Sequence, residues 1–367
     1  MAVHVSEVSV ESFRGLRGLR LEGLNDINIL TGDNNSGKTS VLELLSTLAG
    51  PSTFEAWRSC ARPSTRARAR RMYFEEFYSL FPVDDARKRV AYGVIMSGCR
   101  HSVSLEAELY EAQLSSAEID FISGLPKGLR SEDENQDKSA TRMELRSIVD
   151  GITSDLGEIY DFQFLIRRQR PVATELAGHI AHAVYVSAFA HASGGLPIRD
   201  SLLNDEAYED LLAVVREFDP DVTAITAVPS EHPGMTPDFR VLSRGHGEGM
   251  PLASYGDGMK KAVMLCSQAI RARGGLLLVD EFETAIHTSA MSPTFSVLLR
   301  TALRVGAQVI MTTHSKEAIE KVLDLGGGLE DHINLYTLYN YEDRSLARRM
   351  TCAEAIEAAE SLGIDLR

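Results

Sequence analysis

The chain has 367 residues, against ~100–200 for a usual domain, so it holds one large core with an insertion, or two domains. Apolar residues make up 44% and charged residues 25%, which excludes a disordered or fibrous chain. With 38 Lys+Arg against 52 Asp+Glu the formal charge is −14, so the body as a whole does not attract nucleic acid or an acidic membrane, and any such contact needs a local patch.

The first forty residues read as short strands in VHVSEVSV, LRLE and around Ile27, Ile29 and Leu30, then a glycine-rich turn. After it, Val41, Leu42, Leu44, Leu45 and Leu48 recur at helical spacing up to Gly50 and Pro51. The stretch from about Pro51 to Val184 shows no repeat and reads as an inserted lobe. Within it, Arg58 to Arg71 is arginine-rich without an acid, VAYGVIM and SVSLEAELY look like strands, and Ser131 to Ala140 looks like a polar loop. Regularity returns with a strand in HAVYVSAF, a helix in SLLNDEAYEDLLAVVREF and a strand in VTAITAV. A helix from Met259, the strand LLLVD, a helix ending at Gly306 and the strand QVIMTT follow. A last helix opens with Thr351 and Glu354 at capping-box spacing.

Cys60, Cys99, Cys266 and Cys352 form no CxxC pair, and no basic-then-apolar leader or long apolar run occurs. The expectation is a cytoplasmic protein with no membrane span. His179 and His182 sit at i, i+3 without an evident third ligand and read as structural.

Three segments carry chemistry. Gly32, Asp33, Asn34, Asn35, Ser36, Gly37, Lys38 and Thr39, with Ser40 after them, match GxxxxGK[ST] between a predicted strand and a predicted helix. The glycines let backbone N–H groups curl around phosphate oxygens, Lys38 supplies charge for the β and γ phosphates, and the Thr39 hydroxyl can ligate Mg²⁺. A turn that merely joins two elements is the competing reading, and the Lys-Thr pair and its flanks disfavour it. Asp280 and Glu281 end an apolar strand, where Asp280 would hold Mg²⁺ and Glu281 polarise the attacking water, rather than both being solvated ends. Ser254 to Lys261 is a glycine-containing turn opening a helix, one helix upstream of Asp280. His314 ends the next strand, where it could contact the γ-phosphate or align the water.

In this order the segments resemble ATP-binding-cassette type ATPases, in the branch shared by SMC-like DNA-repair proteins and OLD (overcoming lysogenisation defect) ATPases. ESFRGLRGLRLEGLNDINILTGDNNSGKTSVLE, PLASYGDGMKKAV, LLLVDEFETAIH and QVIMTTHSKEAIE carry the resemblance. It implies an α/β P-loop head with a mostly parallel core sheet, an antiparallel β subdomain and an inserted, mainly helical lobe. Residues 1–50 and 180–325 would form the head and 51–179 the lobe, with a C-terminal strand and helix of 326–367 packing on the head. It implies a Walker A loop at Gly32 to Thr39, a Walker B pair at Asp280 and Glu281, a signature turn with Ser254, Gly256 and Gly258, a switch histidine at His314, and a nucleotide contact from Arg14. Catalysis would rest on Glu281, Lys38 and His314, with ATP as substrate and Mg²⁺ held by Thr39 and Asp280.

The resemblance further implies a homodimer, open to higher oligomers, in which the signature of one copy closes on the γ-phosphate of the other. The nearest signature serine is Ser254 rather than one at Gly256. FETAIH replaces the usual form with glycine before LH, which leaves the inter-head role of His287 open. The expected site glutamine is one of Gln113, Gln163 and Gln169. No heptads for a long arm appear, and the stretch after the TTHSKEAIE helix is too short for a nuclease domain. The leading expectation is therefore an ATP-hydrolysing subunit of a bacterial anti-phage system acting on a separate effector such as a nuclease. The alternative is a DNA-repair ATPase gripping DNA through Arg66, Arg68, Arg70 and Arg71, joined by Arg167, Arg168 and Arg170. A scaffold that never hydrolyses ATP sits poorly with intact Lys38, Asp280 and Glu281.

Overall fold

The computed structural model describes residues 4–61, 73–83, 88–123, 138–162, 179–192, 198–229, 237–244 and 249–362. In chain order its first elements are β1 (Val5–Phe13), β2 (Leu16–Glu22), β3 (Ile27–Gly32), α1 (Lys38–Ser46), α2 (Phe54–Cys60), α3 (Tyr73–Tyr78), β4 (Lys88–Met96) and β5 (Cys99–Leu114). Next come α4 (Ser116–Ser123), β6 (Lys138–Val149), β7 (Ile152–Tyr160), β8 (Ala183–Val186), α5 (Arg199–Leu202), α6 (Asp205–Arg216), β9 (Val222–Val228), β10 (Asp238–Ser243) and β11 (Met250–Pro251). The last are α7 (Asp257–Arg271), β12 (Leu276–Val279), α8 (Thr288–Val305), β13 (Gln308–Thr312), α9 (Lys316–Leu323), β14 (Ile333–Tyr341), β15 (Arg344–Thr351) and α10 (Cys352–Leu362).

The chain divides into two units: Met1–Glu7, Leu21–Leu42 and Ala181–Arg367 form the first, and Val8–Arg20 with Glu43–Ile180 the second. The first is built on a six-stranded sheet of order β15-β14-β3-β13-β12-β8. From β14 to β8 the strands are parallel, and only β15 runs antiparallel at the edge. Such a sheet is covered on both faces, which explains why β3, β12 and β13 are buried at every position instead of alternating. Ile27, Ile29, Leu277, Val279, Val309 and Met311 pack in one core with Leu265, Leu298, Leu299 and Ile319. Each fully buried Leu or Ile contributes about 1.5–3 kcal/mol through the apolar surface it removes from water. A smaller core joins α6 and α7 to the three-stranded sheet β11-β10-β9 through Leu211, Val215, Ile225, Val241, Met259 and Val263.

In the second unit the sheet order is β2-β1-β4-β5-β6-β7. Two-residue turns close its hairpins: Ser97-Gly98 joins β4 to β5, and Asp150-Gly151 joins β6 to β7, all four residues at positive φ. Such turns follow the right-handed twist of the strands they connect. The lobe expected to be mainly helical is thus mainly sheet among its described residues, because the β5–β6 and β6–β7 pairings extend over long alternating segments while α2, α3 and α4 stay short.

The helix expected over SLLNDEAYEDLLAVVREF is broken in two. Asn204 adopts extended φ/ψ and its side chain accepts the Ala207 N–H at 3.0 Å, capping α6 and ending α5 before it. At the other end of the chain the capping box forms as expected, with Glu354 N–H donating to Thr351 Oγ1 and Thr351 N–H donating to the Glu354 carboxylate. No helix among the described residues is long and apolar enough to cross a membrane.

Candidate active site

The loop after β3 is shaped by three left-handed positions: Gly32 at φ 128°, Asn35 at 65° and Gly37 at 96°. Glycine enters this region freely and asparagine enters it at small cost. Gly32 has a second reason to be glycine, because a Cβ there would lie 2.1 Å from the Leu338 carbonyl oxygen on β14. Gly32→Ala combines that overlap with a strained φ, and we expect a loss of about 2–4 kcal/mol in urea unfolding with a matching fall in nucleotide affinity.

Lys38 opens α1 and is buried, its Nζ donating to Gly32 O at 2.7 Å, Asp33 O at 2.9 Å and Ser36 Oγ at 3.4 Å. The ammonium therefore lies inside the curl of the loop. Burial pulls its pKa below the ordinary lysine value, against the opposing pull of Asp280, Asp33 and Glu281. No acidic residue occupies the first turn of α1, so the positive end of the helix is left for an incoming anion.

Asp280, just past β12, accepts through Oδ1 from Thr39 Oγ1 at 2.9 Å and from Thr312 Oγ1 at 2.7 Å. A hydroxyl and a carboxylate oxygen side by side are hard-cation donors. They fit Mg²⁺, which prefers one or two protein oxygens and fills its octahedron with phosphate and water. Among the described residues no group of three or more His, Cys, Asp or Glu could hold a metal by itself.

Glu281 takes a left-handed conformation, φ 44°, costing about 1–3 kcal/mol for a residue with a Cβ. Its surroundings hold it there: its N–H donates to Thr312 Oγ1 at 2.9 Å, and Thr284 Oγ1 donates to its Oε2 at 3.2 Å. His314 follows β13 with an exposed ring, and its backbone N–H donates to Glu283 Oε1 at 3.3 Å. Desolvation raises the pKa of Glu283 above the usual glutamate value.

The turn before α7 exposes Ser254 and Gly256, and Gly256 is the N-cap without a side-chain cap. A Cβ on Gly258 would come within 2.9 Å of the Ala285 carbonyl oxygen, so glycine lets α7 lie directly on the 281–287 loop. Asp257 and Lys260 pair at 2.6 Å, and this hydrogen bond lowers the Asp257 pKa. His287 is exposed and caps α8, accepting from Ser289 N–H at 3.3 Å.

The described contacts bring together Lys38, Thr39, Asp280 and Glu281 through the loop and Thr312, and link His314 to the same loop through Glu283. Arg14 lies in the second unit at the β1–β2 turn, where its guanidinium bonds the Glu43 carboxylate and the Cys60 carbonyl. Gln113 pairs with Ser139 in the β5–β6 ladder of that unit, while Gln163 and Gln169 lie outside the described residues. So do Arg66, Arg68, Arg70, Arg71, Arg167, Arg168 and Arg170. Arg58 is described, and it pairs with Glu55 at 3.2 Å and stacks over Tyr73. His179 and His182 bond the main-chain carbonyls of Ala49 and Arg271, in keeping with structural roles. Thr312 and Glu283 touch these groups directly although the motif reading gives them no role.

A family model described as "AAA domain, putative AbiEii toxin, Type IV TA system" matches residues 27–320. An ATP/GTP phosphatase of Helicobacter pylori is 23% identical over 351 residues, covering 87% of each chain. Uncharacterized protein MJECL11 of Methanocaldococcus jannaschii is 32% identical over 116 residues, which is 30% of this chain and 98% of that one. Among solved structures, the SMC head domain from Thermotoga maritima aligns with TM-score 0.45 and 13% identity over 95% of this chain and 99% of that chain. The SmcHead bound to the C-winged helix domain of ScpA aligns with TM-score 0.47 and 11% identity, over 96% and 99%.

Proposed function

We infer the mechanism from one premise: the chain belongs to this AAA-domain family and is a P-loop ATPase. The observation that carries the rest is the Asp280 carboxylate, hydrogen-bonded at once to Thr39 of the phosphate loop and to Thr312 of the neighbouring strand. In this reading the amides from Asn34 to Ser40 and the Lys38 ammonium receive the β and γ phosphates. Lys38 turns from its own carbonyls to the substrate and offsets the charge that develops on the γ-phosphoryl group. Thr39 and Asp280 would hold Mg²⁺, which when bound would neutralise charge on the phosphate oxygens. Glu281 accepts a hydrogen bond from the attacking water and draws its proton, and His314 faces the γ-phosphate from the end of β13.

Ser254, Gly256 and Gly258 then serve a second copy. An exposed N-cap free of any side chain suits the γ-phosphate bound by a partner head, so that ATP favours the dimer by binding the paired state more tightly. We place the protein in the OLD-like branch of these ATPases, as a cytoplasmic switch in bacterial anti-phage defence that acts on a separate effector. The toxin–antitoxin wording of the family description fits a protein that works with a second component, and the buried free thiols of Cys60, Cys266 and Cys352 fit a reducing compartment. Residues 21–42 and 181–325 of the first unit would carry the nucleotide, rather than the whole of 1–50, since 8–20 and 43–50 belong to the second unit, and the 51–179 insertion would carry the effector or trigger contact.

Asp280→Asn tests the central observation. The amide keeps an oxygen for Thr39 and Thr312 but loses the charge, so phosphate release should fall about 100-fold or more and its Mg²⁺ midpoint should move upward. An unchanged Mg²⁺ titration would remove Asp280 from the metal.

A further inference from the structure

Lys261 has no exposed surface, although lysine is almost never buried in full. It lies near the start of α7, and its Nζ donates to the Ala188 carbonyl at 3.0 Å and to the Glu281 carbonyl at 3.4 Å. These carbonyls follow the carboxyl ends of the neighbouring parallel strands β8 and β12. Burial brings the pKa of this ammonium down to about 8, even with Glu283, Asp280 and Glu281 pulling it upward. A buried charge is a poor way to stabilise a core, because an apolar side chain of the same length avoids the desolvation cost. Stability alone therefore does not account for a lysine here.

What the lysine holds is the residue with the least relaxed backbone in the site. Glu281 sits at φ 44°, and each of its polar groups has a partner: Thr312 Oγ1 for the N–H, Thr284 Oγ1 for the carboxylate, and for the carbonyl both the Thr284 N–H at 3.1 Å within the turn and Lys261 Nζ from α7. On the same loop Glu283 spends Oε1 on the His314 N–H, while its Oε2 is buried without a hydrogen bond.

We propose that Lys261 is a positioning residue for hydrolysis, fixing the Glu281 carbonyl and thereby the direction of its carboxylate, with Glu283 steadying His314 from the same loop. The proposal rests on Glu281 as the residue that polarises water. It also makes α7 the element through which a disturbance at the Gly256 turn reaches the hydrolytic carboxylate.

The decisive variant is Lys261→Met, which fills the same space without a donor. Affinity for a fluorescent ATP analogue should stay within about threefold of the parent while single-turnover hydrolysis slows about 30-fold or more, the scale expected when a reacting group is misplaced by a fraction of an ångström. Glu283→Ala should slow hydrolysis about tenfold, and Glu283→Gln, which still offers an oxygen to the His314 N–H, should recover most of that loss. Folded Lys261→Met protein hydrolysing ATP at the parental rate overturns the proposal. Should that variant fail to fold, the Glu283 pair decides, and parental turnover in Glu283→Ala overturns it instead. A parent without ATPase activity, or a fully active Glu281→Gln protein, removes the premise. An active parent with inactive Glu281→Gln and unimpaired Lys261→Met removes this inference alone.

Discussion

Glu281→Gln should bind ATP within about threefold of the parent yet hydrolyse it 10²–10⁴ times more slowly, the range for loss of a general base. The amide fits the space of the carboxylate and still presents an oxygen to Thr284 Oγ1, so the left-handed turn and the approach of α7 to the 281–287 loop remain. What disappears is the ability to take a proton from water. With ATP and Mg²⁺ trapped, two heads should stay closed, and light scattering in ATP should report twice the mass seen without nucleotide. Unchanged turnover would discard the proposed base. Stalled turnover at monomer mass would keep the base and discard the nucleotide-linked dimer.

The second large effect is expected for Lys38→Ala, which should weaken ATP binding about 100-fold or more, since a charge-assisted contact to two phosphates is worth roughly 3 kcal/mol. In the parent, ATP at 100 times its Kd stabilises the fold by about 2.7 kcal/mol, and the thermal midpoint rises accordingly. The variant should show almost no rise. Without nucleotide its own midpoint should change little, because a partly desolvated ammonium is lost along with its hydrogen bonds to Gly32, Asp33 and Ser36. An equal ATP-induced shift in both proteins would show that the phosphates bind elsewhere.

Much of this site is legible in the amino-acid order because its chemistry is local. A phosphate loop must combine left-handed positions, a lysine and a hydroxyl within a few residues, so Gly32 to Thr39 can be recognised without knowing what packs around them. Asp280 is legible for a different reason: an apolar run buried on both faces and ending in acids suits the ligand-facing end of a parallel strand and little else. The partners of these groups are harder. A threonine at a strand end, such as Thr312, is common for its β-propensity alone, and nothing in its neighbours says that its hydroxyl reaches Asp280. Lys261 hides because lysine is read as solvent-facing; the signal available was the uncharged run Ala262 to Ser267 after it, buried throughout and typical of a helix enclosed on most sides.

The second unit shows the same contrast. Its β6–β7 hairpin escapes the pattern reading, although Asp150-Gly151 is a strong two-residue turn signal, because polar residues on both faces blur the alternation of MELRSIV and ITSDLGEIY. The break at Asn204 is masked by the apolar Leu202-Leu203 pair before it, even though an asparagine followed by Asp205 and Glu206 is a good helix start. Strand order has no local signal at all, and that β3 lies between β13 and β14 follows only from the assembled core.

That placement has a consequence for biogenesis. The strand leading into the phosphate loop, β3, leaves the ribosome long before β13 and β14, the two strands that flank it. Until then a growing polypeptide displays the GxxxxGKT segment with neither neighbour to zip against, and such distant pairings are slow to form. Nascent chains should therefore be unable to capture nucleotide until β13 and β14 have both been made.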